Sequence, residues 1–329
     1  MMAFLGALFF GFVPMFLFAG FVNWLDRYEK EPKLLLGAAF IWGMVIAAGG
    51  AFILNTAFGI GIYALTGSQS MAEFGTTSFI APIIEEGLKG LAVLIVFLLF
   101  RGEFDSVLDG IVYAAISAMG FAAVENTLYI YRNGYLENSW QGFWTLVIIR
   151  IILVGWMHPF FTSFTGIGLA IARMSRNVLV KLIAALSGYA VAVTAHAFHN
   201  TFSGLIGGFG GLLAGTFVDY IGYGAMLIFI IWMIVYERNI LAKNLREEVT
   251  NGLISQKQFN SATSFFQTNA LFAALASGTF RATSRFYQVC GELAHKKEQL
   301  AKLGEEGGNS MIIQKLRAEL VQLAPRARA

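Results

Sequence analysis

Residues 79–100 form an apolar segment long enough to cross a bilayer, yet the segment carries Glu85, Glu86 and Lys89. A charge at membrane depth costs about 2.5–3.5 kcal/mol on insertion scales, so three neighbouring charges need a structural or chemical reason. Lys89 lies one helical turn from both carboxylates and can pair with one of them, while the other stays beside a like charge. The segment therefore predicts either a buried ion pair that joins two helices or a carboxylate set up as a base.

The composition indicates that most of the chain lies in a membrane. The 329 residues are 57% hydrophobic and only 13% charged, against about 25% charged in ordinary soluble domains. Cys290 is the single cysteine, which excludes a disulfide framework and a zinc site built on cysteines. The sequence shows no Gly-rich phosphate loop and no nucleic-acid motif, so we expect no nucleic-acid partner.

Apolar segments recur throughout residues 1–236 and predict an all-α, polytopic membrane domain. About seven transmembrane helices are expected, at residues 1–22, 34–54, 79–100, 107–131, 143–172, 182–202 and a last span ending near residue 236. Residues 237–329 are soluble in character and predict a small helical cytosolic domain. We expect its core to include Leu271, Phe272, Leu275, Phe280, Phe286 and Leu293.

The charges of the loops predict the orientation in a plasma (cytoplasmic) membrane. Loops at residues 26–33, near Arg101 and at 173–181 are rich in Lys and Arg, whereas the loops between them contain Arg132 alone. The positive-inside bias therefore places the N-terminus outside and the C-terminal tail in the cytoplasm. With this orientation, polar residues of four spans reach overlapping depths in the outer half of the membrane, as one shared cavity requires.

The polar residues of the later spans follow helical spacing. His196 and Asn200 are four residues apart and share a face, and Phe121 and Glu125 are related in the same way. His158 is followed by a proline and lies nearer the middle of its span. A lone intramembrane histidine is commonly a hydrogen-bond partner between helices, but here several polar groups converge.

These motifs together resemble the PrsW family of intramembrane proteases, which is distantly similar to the CAAX prenyl proteases. The resemblance is carried by Glu85-Glu86-x-x-Lys89, Phe121-x-x-x-Glu125-Asn126, His158, His196-x-x-x-Asn200 and the charged loop at residues 26–32. It covers residues 1–236. One departure from the CAAX enzymes is that Glu125 stands where they have a histidine.

The resemblance implies an intramembrane endopeptidase that cleaves single-span membrane proteins, such as an anti-sigma factor, near the outer membrane face. Glu85 or Glu86 would act as the general base on water, tuned by Lys89. Asn200 and His196 would donate hydrogen bonds to the oxyanion.

Two roles remain for Glu125 and His158: they would orient the water or protonate the leaving amine. We expect a mechanism without a cofactor, but a zinc ion held by Glu125, His158 and His196 is the alternative, since zinc accepts a carboxylate and two imidazoles.

Two other functions fit parts of the pattern. Intramembrane Glu, Lys and His also build the ion pathways of proton- or ion-coupled transporters, although no inverted repeat is present. A membrane scaffold that recruits an unknown partner through its basic tail is the third possibility.

Overall fold

The computed structural model describes residues 1–328, apart from the side chains of residues 203, 204, 209 and 268. The described chain is helical and contains no strand, so the predicted all-α fold is confirmed. By packing, it divides into two compact units. The first comprises residues 1–24, 31–173 and 177–228, and the second comprises residues 25–30, 174–176 and 229–328.

The first unit begins with three helical segments. α1 (Met2–Leu25) is one uninterrupted helix. α2 (Lys33–Ile41) continues through a π-helical turn, Trp42–Ala47, into α3 (Ala48–Thr66). The glycine-rich residues after residue 54 therefore lie within α3.

A short helix leads into the charged segment. α4 (Gln69–Gly75) begins at Ser68, whose hydroxyl caps the backbone N–H of Met71. A π-helical turn then connects α4 to α5 (Ala81–Leu99), which carries Glu85, Glu86 and Lys89. The polar segment before residue 78 is thus mostly helical, because Ser68 supplies an N-cap earlier than the predicted start.

The centre of the first unit is α6 (Val107–Leu128), in which every side chain from Val107 to Ala123 is buried. A helix that is apolar on all sides needs neighbours on all sides, and α2, α5 and α8 pack around it. α6 and α8 approach closely where Gly110 meets Gly166: a Cβ on Gly166 would lie 2.0 Å from the carbonyl oxygen of Gly110. The two glycines therefore allow the backbones of α6 and α8 to approach each other closely.

The predicted fifth span, residues 143–172, is not one continuous helix. The chain reverses at Asn138–Ser139, where Ser139 has a positive φ of 51°. α7 (Glu137–Val147) continues through a π-helical turn to Leu153, and α8 (Met157–Arg173) starts after three intervening residues. The break precedes His158 and Pro159. Pro159 is the third residue of α8, where a backbone N–H would have no partner within the helix, so the proline removes no helical hydrogen bond.

α9 (Val178–Ile206) and α10 (Gly208–Asn244) complete the apolar part. Five described segments are long and apolar enough to cross a membrane: Met2–Leu25, Lys33–Thr66, Val107–Arg173, Val178–Phe202 and Gly210–Thr250. The third of these folds back on itself, and α5 carries three charges. The number of seven spans stays a prediction.

The second unit contains five further helices: α11 (Arg246–Thr250), α12 (Gln256–Ala262), α13 (Gln267–Ala276), α14 (Phe280–Leu303) and α15 (Asn309–Leu323). Ser255 and Gln258 form the predicted capping box of α12. The buried carboxylate of Glu248 accepts hydrogen bonds from Lys297 and Arg317, and this pairing joins α11 to α14 and α15.

The predicted core of the tail is only partly correct. Phe286 and Leu293 are fully buried, whereas Phe272, Leu275 and Phe280 are exposed. α13 turns Ala274 inward instead. Phe272 and Leu275 consequently lie on the outer face of α13, because a helix of ten residues can direct only one face toward α14.

Candidate active site

Glu86 forms the centre of a buried polar cluster between α5, α8 and α9. The side chain is fully buried, and its carboxylate oxygens have three partners. Lys89 Nζ donates to Oε1 over 2.6 Å, the Thr162 hydroxyl donates to Oε2 over 2.7 Å, and His196 Nδ1 lies 2.9 Å from Oε1. Glu86 is therefore held in place by its own helix and by two others.

Lys89 connects Glu86 to His158. Its ammonium group lies 3.1 Å from His158 Nδ1 and 4.7 Å from the centre of the Phe121 ring. An ammonium group can only donate hydrogen bonds, so His158 Nδ1 must accept and the proton of a neutral His158 lies on Nε2. That nitrogen is 2.8 Å from Glu125 Oε2, to which it donates.

Glu85 differs from Glu86 because one of its oxygens has no donor. Asn55 Nδ2 donates to Glu85 Oε1 over 3.2 Å. Oε2 is buried and has no hydrogen-bond partner among the described residues, and His196 Nε2 lies 3.9 Å away from it. A buried carboxylate oxygen without a donor is costly in free energy, so this atom points to a bound group or to a chemical role.

Glu125 is held by a residue that the sequence-based site did not include. Arg150, in the π-helical turn before the break, donates to Glu125 and, over 2.9 Å, to Asn126 Oδ1. Its guanidinium group also lies 4.4 Å from the centre of the Tyr129 ring. The sequence feature that could have identified Arg150 is its position inside an apolar segment. An arginine is rare there and usually pairs with another polar group.

Asn200 does not join the cluster in the described structure. Its amide donates to the backbone carbonyl of Thr77 over 2.9 Å. His199 forms a separate pair with Asp219, with 2.8 Å between Nδ1 and Oδ2, and the Phe161 ring contacts both His196 and His199. Thus six of the seven predicted site residues converge, and Asn200 instead connects α9 to the turn before α5.

Three ligand atoms of the cluster lie close enough to hold a metal ion. They belong to Glu85, His158 and His196 and are within 4.8 Å of one another. The His196–Glu86 hydrogen bond resembles the carboxylate–imidazole pairs that orient metal-bound histidines, and Glu85 Oε2 is free of donors. The set fits a divalent ion such as zinc if His158 releases one of its two hydrogen bonds.

The sequence-based alternative placed Glu125 in the ligand set. In the structure Glu85 takes that position, whereas Glu125 accepts hydrogen bonds from Arg150 and His158. The reason is that α5 brings Glu85 Oε2 near His196 Nε2, whereas Arg150 and His158 already donate hydrogen bonds to Glu125.

Fold and site together define a polytopic helical membrane protein with a buried cluster of carboxylates, a lysine and imidazoles on four packed helices. Residues 31–235 match the model of the PrsW family, described as "PrsW family intramembrane metalloprotease". The chain belongs to this family.

Curated relatives named Protease PrsW are similar over parts of the chain. The protein of Geobacillus kaustophilus is 33% identical over 109 residues, which are 33% of this chain and 45% of the relative. That of Clostridioides difficile is 30% identical over 120 residues, 36% of this chain and 48% of the relative. The protein of Bacillus subtilis is 28% identical over 152 residues, which are 46% of this chain and 62% of the relative. The chain thus spans about half the length of the first two relatives, and no solved structure matches it.

Proposed function

We propose that this protein is an intramembrane endopeptidase that hydrolyses a peptide bond of membrane-anchored proteins. The relatives named as proteases support this proposal. The observation that carries it is the free, buried oxygen of Glu85, which lies 3.9 Å from an imidazole nitrogen of His196. In a membrane, a carboxylate oxygen without a donor is a position where a water molecule can be bound and deprotonated.

Glu85 is the base in this mechanism. It takes a proton from water as the water oxygen attacks the carbonyl carbon of the scissile bond, which gives a tetrahedral oxyanion. The proton then passes to the amide nitrogen, and the C–N bond breaks. Glu86 is unsuited to this task because both its oxygens already accept hydrogen bonds from Lys89, Thr162 and His196.

The remaining residues hold this arrangement. Glu86 fixes the ring of His196 through Nδ1 and leaves Nε2 facing Glu85. Glu125, itself bound by Arg150, orients His158 through Nε2. Because both ring nitrogens of His158 are already hydrogen-bonded, to Lys89 and to Glu125, His158 connects these charged groups and does not itself bind the water or the leaving amine in this mechanism. Asn200 would stabilise the oxyanion only after its amide stops donating to the Thr77 carbonyl. A bound substrate strand could break that hydrogen bond.

A metal-dependent version is the second candidate, supported by the three ligand atoms of Glu85, His158 and His196. A divalent ion bound there would polarise the water and the substrate carbonyl. We propose the metal-free version first because it leaves both hydrogen bonds of His158 in place.

The proposed substrate class rests on the proposed orientation, which puts the site near the outer membrane face. Single-span proteins, of which an anti-sigma factor is the kind suggested by the resemblance, would present a scissile bond near the outer membrane face. The test is to incubate the purified full chain in lipid nanodiscs with a panel of single-span proteins and to map the products by mass spectrometry. Cleavage at defined bonds is expected; uptake of protons or ions by vesicles without any cleavage would favour a transporter instead.

Chelation should leave this activity unchanged. The metal-free mechanism predicts that treatment with a strong zinc chelator, followed by dialysis, preserves the cleavage rate, and that elemental analysis finds less than stoichiometric metal. Loss of activity that zinc restores would refute this prediction and assign Glu85, His158 and His196 as ligands. An Asp219→Asn variant serves as control, because the carboxylate of Asp219 pairs with His199 and lies outside the ligand set.

We also propose that the N-terminus lies outside the cell and the tail in the cytoplasm. Support comes from the second compact unit, in which residues 25–30 and 174–176 pack together with the tail, as loops on one side of the membrane would. Reporter fusions after Gly67 and after Arg173 should therefore report opposite compartments, outside for Gly67 and inside for Arg173. The same compartment for both would contradict the proposed orientation.

A further inference from the structure

The tail contains an uncharged segment with exposed apolar side chains. No Asp, Glu, Lys or Arg occurs between Lys257 and Arg281, although charges are frequent on both sides. Within this segment Phe266, Phe272 and Leu275 are exposed by 71%, 72% and 63%. Apolar side chains exposed side by side on a soluble surface usually mark a contact with a partner or a membrane.

The start of this segment is held by the ends of two membrane helices. Arg27, two residues beyond α1, donates to the carbonyl of Phe265 over 2.7 Å. Arg238, directly after the apolar part of α10, donates to the carbonyl of Thr263 over 2.8 Å and lies 4.8 Å from the centre of the Phe265 ring. Residues 263–265 are therefore attached at the point where the first and last apolar helices end.

This attachment determines what the exposed face can meet. Arg27 is the first basic side chain after α1, and Arg238 is the first basic side chain of α10. Basic residues at the ends of long apolar helices are typical of the boundary between hydrocarbon and headgroups. α13 begins immediately after the residues that they bind. The exposed side chains of α13, Phe272 and Leu275, therefore follow within about ten residues of the segment that the two arginines bind.

We propose that α13 is an interfacial helix whose apolar face inserts into the cytoplasmic leaflet. Its opposite face, with Ala274 and Gln267, is buried against the tail, so the helix has one protein side and one lipid side. Short helices with an apolar face and basic flanks bind in this way, and Arg281, which follows α13, is exposed. The partner is the lipid surface, and the inference does not depend on proteolytic activity.

The test uses nitroxide spin labels in the full-length protein reconstituted into phosphatidylcholine vesicles, with and without phosphatidylglycerol. Labels are attached to Phe272→Cys and Leu275→Cys, and to Gln314→Cys on α15 as an exposed control in the same tail. Cys290 is the only native cysteine and is fully buried. It is replaced by alanine, or retained if labelling stoichiometry shows that it does not react.

The readout is the ratio of oxygen access to access by a water-soluble nickel complex. We expect this ratio to be several-fold higher at residues 272 and 275 than at residue 314, and to rise further with phosphatidylglycerol. Equal ratios at all three positions would overturn the proposal, because α13 would then face water. Low access to both reagents at residues 272 and 275 would also overturn it, since these side chains would then pack against protein, such as a second copy of the chain.

Discussion

Glu85→Gln should abolish peptide-bond cleavage while leaving the fold intact. The substitution removes the proposed proton acceptor, and general-base catalysis contributes about 10²- to 10⁴-fold in rate. The glutamine oxygen can still accept the hydrogen bond that Asn55 donates to Oε1 of Glu85. We therefore expect the cleavage rate of a single-span substrate to fall by at least two orders of magnitude, with an unchanged thermal unfolding midpoint.

The matched control for this variant is Glu73→Gln on α4, an exposed carboxylate that accepts a hydrogen bond from Gln69. It should cleave at the wild-type rate. His196→Ala is a companion variant that removes the imidazole beside Glu85 Oε2 and should also abolish cleavage. Retained cleavage by both Glu85→Gln and His196→Ala would remove the site assignment, even if the protein proves to be a protease.

The second large effect is on stability: Lys89→Met should destabilise the protein strongly. Lys89 and Glu86 are both fully buried and lie 2.6 Å apart. Removing one partner of a buried ion pair leaves an uncompensated charge and costs about 3–5 kcal/mol. Thr162 and His196 would remain as partners of Glu86, but neither carries the fixed positive charge of a lysine.

The double variant Glu86→Gln/Lys89→Met tests this explanation. It leaves no isolated charge, so we expect it to be more stable than Lys89→Met alone, as measured by equilibrium unfolding in mixed micelles. Lys243→Met serves as the exposed control, because Lys243 pairs with Glu298 over 3.0 Å at the surface and such pairs contribute only about 0–1 kcal/mol. If Lys89→Met were no more destabilising than Lys243→Met, the buried pair would have no structural importance.

Local patterns in the sequence were sufficient to predict the class of fold and most of the site. Long apolar segments predict membrane helices because the bilayer accepts few other structures. Charged and polar residues within those segments, such as Glu85, Lys89 and His158, are so unfavourable there that their presence alone indicated a shared site. The capping box at Ser255 was likewise a local signal.

Other features depend on how helices rotate and cross, which local periodicity does not specify. The break before His158 follows a π-helical turn that ends at Leu153, where Val154 leaves the helical conformation. The exposure of Phe272 depends on which face of α13 meets α14. A period of 3.6 residues predicts that a helix has an apolar face, but not which neighbour that face contacts.

The sequence by itself determined that this is a helical membrane protein of the PrsW type, and it predicted carboxylates and imidazoles at overlapping depths. Only the tertiary structure decided that Glu86 is bound by Lys89 while one oxygen of Glu85 is free, that Arg150 holds Glu125, and that Asn200 bonds to Thr77. Adjacent residues on a helix point about 100° apart. Which of two neighbouring glutamates can do chemistry therefore depends on helix rotation, and rotation is determined by packing.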